Sequence, residues 1–254
     1  MGPRGVLGYT RAMEWSDQGI VLSARRHGET AAIATLLTQA HGRHAGLVHG
    51  GAGRRLRGVL QPGNRVSARW RARLSEHLGT MTCEVSAALA APLLGDPLRL
   101  AGLSAACALA DWALPEREPQ ATLHDGLLHL IESLPGNNWP RLYVTWEVDL
   151  LRELGFGLDL ESCAATGRND SLAFVSPRTG RAVSLLAGEP YRDRLLTLPP
   201  FLTGAAAIDA PRDIIDGLTL TAYFLERHVL AVAGRRLPAA RQRLAERLAA
   251  SVKD

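Results

Sequence analysis

Lysine is nearly missing from this chain of 254 residues: of its 29 basic side chains, every one but Lys253 is arginine. A nucleotide P-loop needs a lysine followed by Ser or Thr after its glycines, to reach the phosphates and the magnesium. Gly50-Gly51-Ala52-Gly53-Arg54 offers neither, so ATP hydrolysis by that route is excluded and the stretch reads as a flexible hairpin tip. Cysteine is scarce as well. Cys83, Cys107 and Cys163 stand far apart with no CxxC pair, which fits a reducing cytoplasm and not a disulfide framework. No apolar run reaches the roughly 18 residues of a membrane span. Met1 to Ala12 has no apolar stretch followed by a small-residue cleavage site, so it does not read as a signal peptide. Also missing are GxSxG, HExxH and any carboxylate cluster suited to two-metal nuclease work. His41 with His44 lacks nearby Cys or carboxylate partners and reads as a polar turn. His124 and His129 are spaced off one helix face. Nothing here reads as catalytic.

What the chain has instead is arginine, unevenly placed. Residues 1–80 hold twelve arginines against Glu14, Asp17, Glu29 and Glu76, a local charge of +8 within a total of +4. The remainder therefore carries −4, the pattern of a basic binding module joined to a neutral or acidic body. The densest stretch runs from Arg54 to Leu74. After Arg54-Arg55-Leu56-Arg57 and a Gln61-Pro62-Gly63-Asn64 turn, the chain alternates with period two. Arg65, Ser67, Arg69, Arg71 and Arg73 fall on one face, and Val66, Ala68, Trp70, Ala72 and Leu74 on the other. This is a β-strand with one buried face, and Trp70 on that face belongs to the core. A basic strand face suits an electrostatic groove for nucleic acid; the alternative is a solvated edge strand whose charges only prevent aggregation. The DNA-binding candidates are Arg25, Arg26, Arg43, Arg54, Arg55, Arg57, Arg65, Arg69, Arg71 and Arg73.

Around that strand the text is short and extended. Gly19 to Ser23 reads as a strand, Arg25 to Glu29 as a turn, Ala31 to Thr38 and Arg43 to His49 as strands, and Gly79 to Ala87 as a fifth. Five such strands suggest a small barrel of the OB type. Past residue 90 the period becomes helical. Asp96-Pro97 caps a stripe of Leu100, Leu103, Cys107, Ala110 and Leu114. Helices follow at Ala121–Leu134, from Pro140 to Gly155, from Asp209 and Pro211 through Val229, and after Pro238. The expected class is α+β, with residues 1–13 a disordered extension (Met13-Glu14-Trp15 marking an older start). Residues 14–90 form the OB-fold barrel and 91–254 a mainly helical domain, containing a loop-rich insert at 156–187.

At Gly155-Phe156-Gly157-Leu158-Asp159-Leu160, followed by Cys163-Ala164-Ala165-Thr166-Gly167, the order of parts resembles the RecO family of bacterial DNA repair and recombination mediators. His27-Gly28-Glu29, His41-Gly42-Arg43, Gln61-Pro62-Gly63-Asn64, Leu114-Pro115-Glu116-Arg117 and Val175-Ser176-Pro177 stand in colinear support over roughly residues 14–250. The resemblance implies binding of single- and double-stranded DNA, annealing of complementary strands, and help in loading recombinase onto single strands coated by single-strand-binding protein (SSB). It implies RecR and the SSB C-terminal tail as partners, with RecF and RecA beside them, a cytoplasmic, nucleoid-associated location, no enzyme activity and no membrane contact. Zinc-containing relatives carry two CxxC pairs in the insert. Here the matching positions are Cys163 and Thr166, then Ser184 and Ala187, so the insert is expected to be a degenerate zinc ribbon without metal. It would then be held by Phe156, Leu158, Phe174 and Val175. No other cofactor is expected. The rival reading is a protein-interaction scaffold whose basic barrel binds an acidic protein tail.

Overall fold

The structure, a computed structural model, describes residues 13–204, 211–231 and 234–251. Its first strand, β1 (Met13–His27), is long enough to serve two neighbours. Met13 to Ile20 pair antiparallel with β4 (Arg65–Ala72), and Gly19 to His27 pair with β2 (Ala31–Thr38). A bulge between Val21 and Ser23 adds a residue to β1 where it passes from one partner to the other. β3 (Gly42–Val48) pairs with β2, and β5 (Thr80–Ala87) closes the ring between β3 and β4. The order β1-β2-β3-β5-β4 is a closed barrel, the OB architecture that the five short strands predict.

Three details differ from the expectation. Arg25 and Arg26 are strand residues, because pairing to Ile33 and Ala32 carries β1 on to His27; the turn is only Gly28 to Thr30. The arginines after the glycine run begin α1 (Arg54–Val59) instead of a loose tip, and Leu56 and Val59 on that helix pack against the barrel core. Met13 opens β1 and does not belong to an extension; residues 1–12 lie outside the described residues.

The barrel core is formed by Val21, Leu36, Val48, Leu60, Val66, Trp70 and Met81 with smaller neighbours. Ile20, Leu22 and Leu37 of the same strands join the other core, that of the helices. That body is built from α2 (Pro97–Ala113), α3 (Ala121–Ser133), α4 (Trp139–Leu151), α6 (Pro211–Phe224) and α7 (Ala239–Ala250). Asp96 caps α2 by accepting the Leu98 and Arg99 amides, both at 3.0 Å. The Asp209 expected to start α6 lies outside the described residues. α4 and α6 each run on into a wider π-turn, at Arg152–Phe156 and Leu225–Leu230. Between them the insert forms a small sheet of β6 (Leu172–Val175), β7 (Ala182–Ser184) and β8 (Leu196–Thr197), with the short α5 (Leu185–Gly188) after β7. β8 carries the sheet past residue 187, so the insert is longer than its glycine and proline punctuation suggests.

One buried ion pair ties three helices together. Glu147 of α4 and Arg241 of α7 are 0% and 1% exposed, joined at 2.5 and 2.9 Å, and Thr221 of α6 donates its hydroxyl to the same carboxylate. Barrel and body meet just as closely. Gly42 has φ +64, and a Cβ there would lie 1.9 Å from the Glu118 carbonyl oxygen. Gly63, at φ +89, lets the turn before β4 lie on Leu103 of α2, 2.4 Å from where a Cβ would be. Among the described residues no helix is long and apolar enough to cross a membrane.

Candidate nucleic-acid interface

β4 alternates as its sequence predicts. Val66, Ala68, Trp70 and Ala72 point into the barrel, while Ser67, Arg69 and Arg71 are exposed. Trp70 is 1% exposed and donates its indole N–H to the Leu78 carbonyl at 2.8 Å. Emptying such a core position costs about 3–5 kcal/mol, whereas stacking one base returns about 1–3. Trp70 therefore stays in the core. Arg65, at the bend into β4, is half-buried, and Arg73 lies one residue beyond the strand, still exposed.

Cross-strand register adds what the strand alone does not contain. Arg71 faces Glu14 of β1 and Ser67 faces Glu84 of β5, while Arg69 lies between Ser16 and Thr82. The Arg69 guanidinium is ion-paired to Glu14, with Arg69 still 67% exposed. The basic row is thus a mixed face in which two carboxylates are set among the arginines. Such exposed pairs contribute little to stability, and a phosphate can exchange with them.

The other candidates lie elsewhere on the barrel. Arg26 and Arg57 border a hollow of about 340 Å³ with Gly51, Gln61 and Pro62, and Arg54 and Arg55 stand exposed on α1 beside it. Arg26 donates to the Gly28 and Glu29 carbonyls at 3.1 and 2.9 Å, which holds the β1–β2 turn. Arg25 faces away from these, into a groove between barrel and body.

Arg43 departs from the expectation. Its Nε donates to the Leu114 carbonyl at 2.8 Å, and its two terminal nitrogens reach Asp111 and Glu116 at 3.3 and 3.2 Å. The Arg43 carbonyl in turn accepts the Arg117 N–H at 2.8 Å. Arg43 fastens the barrel to the body: all three of its side-chain nitrogens are engaged there, and its side chain is only 14% exposed. Nothing in its local sequence distinguishes it from Arg25; its partners come from about 70 residues away.

Of the two histidines expected in a polar turn, His41 lies in the turn before β3, whereas His44 lies within β3 itself. His41 is stacked on Trp15 at 4.2 Å and paired to Asp17 at 3.0 Å. His44 points into the barrel, edge-on to Trp70 at 4.7 Å, and neither ring nitrogen has a partner among the described residues. Burial, with the charges of Arg117 and His41, pushes the His44 pKa down to about 4.

In the insert, three of the four positions compared above with zinc ligands, Cys163, Thr166 and Ser184, come together. Cys163 is fully buried, its sulfur 3.4 Å from Ser184 Oγ and accepting the Ser184 N–H at 3.2 Å. Burial pushes the thiol up, but hydrogen bonds from Ser184, Thr166 and nearby amides outweigh it and bring the pKa down to about 6. One thiol beside two hydroxyls and Ala187 does not match the four N or S ligands of structural zinc. Among the described residues no three His, Cys, Asp or Glu groups are placed to hold a metal ion. Phe174 and Val175 are buried as expected, whereas Phe156 is 38% exposed and stacks on His228 at 5.4 Å.

Sequence comparison identifies both halves. A family model described as the recombination protein O N terminal matches residues 13–88, and one described as the recombination protein O C terminal matches residues 94–236. A protein named DNA repair protein RecO from Rhodospirillum centenum is 62% identical over 237 residues, covering 92% of this chain and 94% of its own length. Proteins of the same name from Rhodospirillum rubrum and Phenylobacterium zucineum are each 53% identical, covering 93% of this chain and 96% and 98% of their own.

Proposed function

The chain belongs to the RecO family of DNA repair proteins, and on that premise we propose that it is a non-enzymatic mediator that binds DNA through its barrel, anneals complementary strands and helps load recombinase onto SSB-coated single strands. The observation that carries the reading is an OB barrel whose exposed arginines, on β4 and α1, outnumber the carboxylates among them. Such a surface takes up backbone phosphate without reading sequence. Replacing Arg69, Arg71 and Arg73 by Ala should weaken binding to all sequences alike. It should also flatten the salt dependence by up to roughly 0.7 for each phosphate of a single strand that is no longer neutralised. An unchanged affinity and slope in a folded triple variant would refute the barrel assignment. The mediator step is tested by annealing complementary oligonucleotides precoated with SSB, where the wild type accelerates the reaction and the triple variant does not.

RecR, RecF and RecA are partners by family, as is the SSB tail, which is acidic and ends in apolar residues. For that tail the helical body is the better receptor, since the barrel's apolar residues already fill its own core. What supports this is an apolar groove of about 320 Å³ lined by Leu98, Pro140, Ile214, Ile215 and Leu248, with Arg141, whose guanidinium also lies over the Phe201 ring, in its wall. A labelled tail peptide should remain bound when the protein is saturated with single-stranded DNA; stoichiometric displacement would move the tail to the barrel.

A further inference from the structure

We infer that the groove between barrel and body is a second single-stranded nucleic-acid site, in which Trp112 stacks one base while Arg25 and Arg235 take the neighbouring phosphates. The inference rests on the DNA-binding reading above and extends it to a surface half of which comes from the helical body.

Tryptophan exposure is the first observation. Trp70, Trp139 and Trp146 are 1%, 4% and 5% exposed, and Trp15 is half-buried in its stack on His41 and Trp70. Trp112, in the last turn of α2, is the exception at 43%. A flat indole left in water at the wall of a groove is a platform on which any base can stack.

The second observation is where the groove lies. It measures about 590 Å³, and its floor is the outer face of β1, β2 and β3 at Ser23, Ile33, Thr35 and Ala45. Glu76 and Leu78 of the β4–β5 loop border it. On OB barrels the face of the second and third strands, with that same loop, is the surface that takes oligonucleotides. α2 covers part of the face, through Ile20, Leu22 and Leu37, and leaves this part open.

Charge is the third. Arg43 is neutralised within the groove wall by Asp111 and Glu116. Since Arg43 balances only one of these two carboxylates, Arg25, Arg117 and Arg235 stand against Glu76 and one further carboxylate, which leaves the groove lining at +1. Arg117 is fixed by donating to the Ser75 and His77 carbonyls, and these neutral acceptors do not cancel its charge. Arg235 donates to the Trp112 carbonyl at 2.9 Å and holds its guanidinium over the indole at 5.4 Å. A cation beside an exposed aromatic plane and a further arginine across the groove suit a nucleotide's two parts, the base and its phosphate.

The test is a fluorescence titration of the full chain with oligothymidine at several salt concentrations. Wild-type emission should be quenched on binding, since Trp112 is the tryptophan that DNA reaches. Trp112→Ala should lose most of the quench and bind about fivefold or more weakly, with the salt slope kept. Arg25→Ala with Arg235→Ala should instead lower the slope by roughly 1.4, about 0.7 for each phosphate. The β4 triple variant should still quench. Quench and affinity unchanged in Trp112→Ala would overturn the proposal while leaving the barrel reading intact. No salt-dependent DNA binding by the wild type would sink both. Should Trp112→Ala fail to fold, Arg25→Glu with Arg235→Glu, both on the exposed surface, asks the same question, and undiminished binding in that variant is equally fatal. Full displacement of oligothymidine from the groove by an acidic peptide that itself quenches Trp112 more strongly would assign it to a protein partner, against the proposal.

Discussion

A single ring shows how far a residue's neighbourhood can change its chemistry. His44 follows a glycine turn and an arginine, and as sequence it is one polar residue among several. In the barrel it is 4% exposed between Trp15 and Trp70, and its pKa falls from the ordinary 6.5 to about 4 because the interior disfavours the charged form. The fold therefore binds His44 neutral, while the unfolded chain protonates it near 6.5. Its contribution is whole above pH 6.5 and is lost as the pH falls through about 4. Urea midpoints should accordingly drop between pH 6.5 and 4, and His44→Leu should flatten that dependence. An equal slope in the variant would mean that another group dominates the acid limb. Arg69 makes the complementary point: its exposure was legible from the period-two pattern, but its pairing to Glu14 was not, because the register of β1 on β4 sets it.

Elements differ in how openly they declare themselves. β4 was readable because its apolar set alternates without a break, and a slip of one residue would put Trp70 in water. α1 was not, since six residues preceded by glycines carry no helical period. Its Leu56 and Val59 become informative only against the barrel. The insert's sheet was hidden for a similar reason: β6, β7 and β8 have four, three and two residues, too few to show alternation. What stabilises it is visible in the packing. A Cβ on Gly188 would lie 2.4 Å from the Phe174 ring, and Cys163, Val175 and Ala182 are fully buried. Metal analysis after dialysis should find well under one zinc per chain, and a chelator should leave the melting temperature unchanged. Stoichiometric, chelator-sensitive zinc would show that the ligands lie elsewhere.

At the scale of the whole molecule, one arginine and its ring of acceptors add a polar clasp to the apolar packing that joins the barrel and the helical body. Arg43 is 14% exposed at its side chain and Asp111, which also accepts the Ser23 hydroxyl at 2.8 Å, is 19%. Removing one partner of such a half-buried pair costs more than an exposed ion pair and less than a deep one, about 1–3 kcal/mol. Arg43→Ala should lower the melting temperature while changing the salt slope of DNA binding less than the β4 arginines do. The opposite result, intact stability with a flattened slope, would return Arg43 to the DNA-binding face.

Local pattern was enough for what depends on neighbours in sequence: the period-two strand with Trp70 inside, the Asp96 cap, the change to helical period after residue 90, and the missing thiols of the insert. These follow from alternation, capping and ligand chemistry, which act over a few residues. Only the tertiary structure decided which arginines remain available. Arg25 and Arg43 are both arginines on barrel strands, yet Asp111, Leu114 and Glu116 lie against Arg43 and open groove against Arg25. It also decided that Trp112, which lies off the apolar stripe of α2, stands exposed beside Arg235, more than a hundred residues later in the chain. Charge compensation and exposure depend on distances between remote segments, and those are set when the barrel and the body pack together.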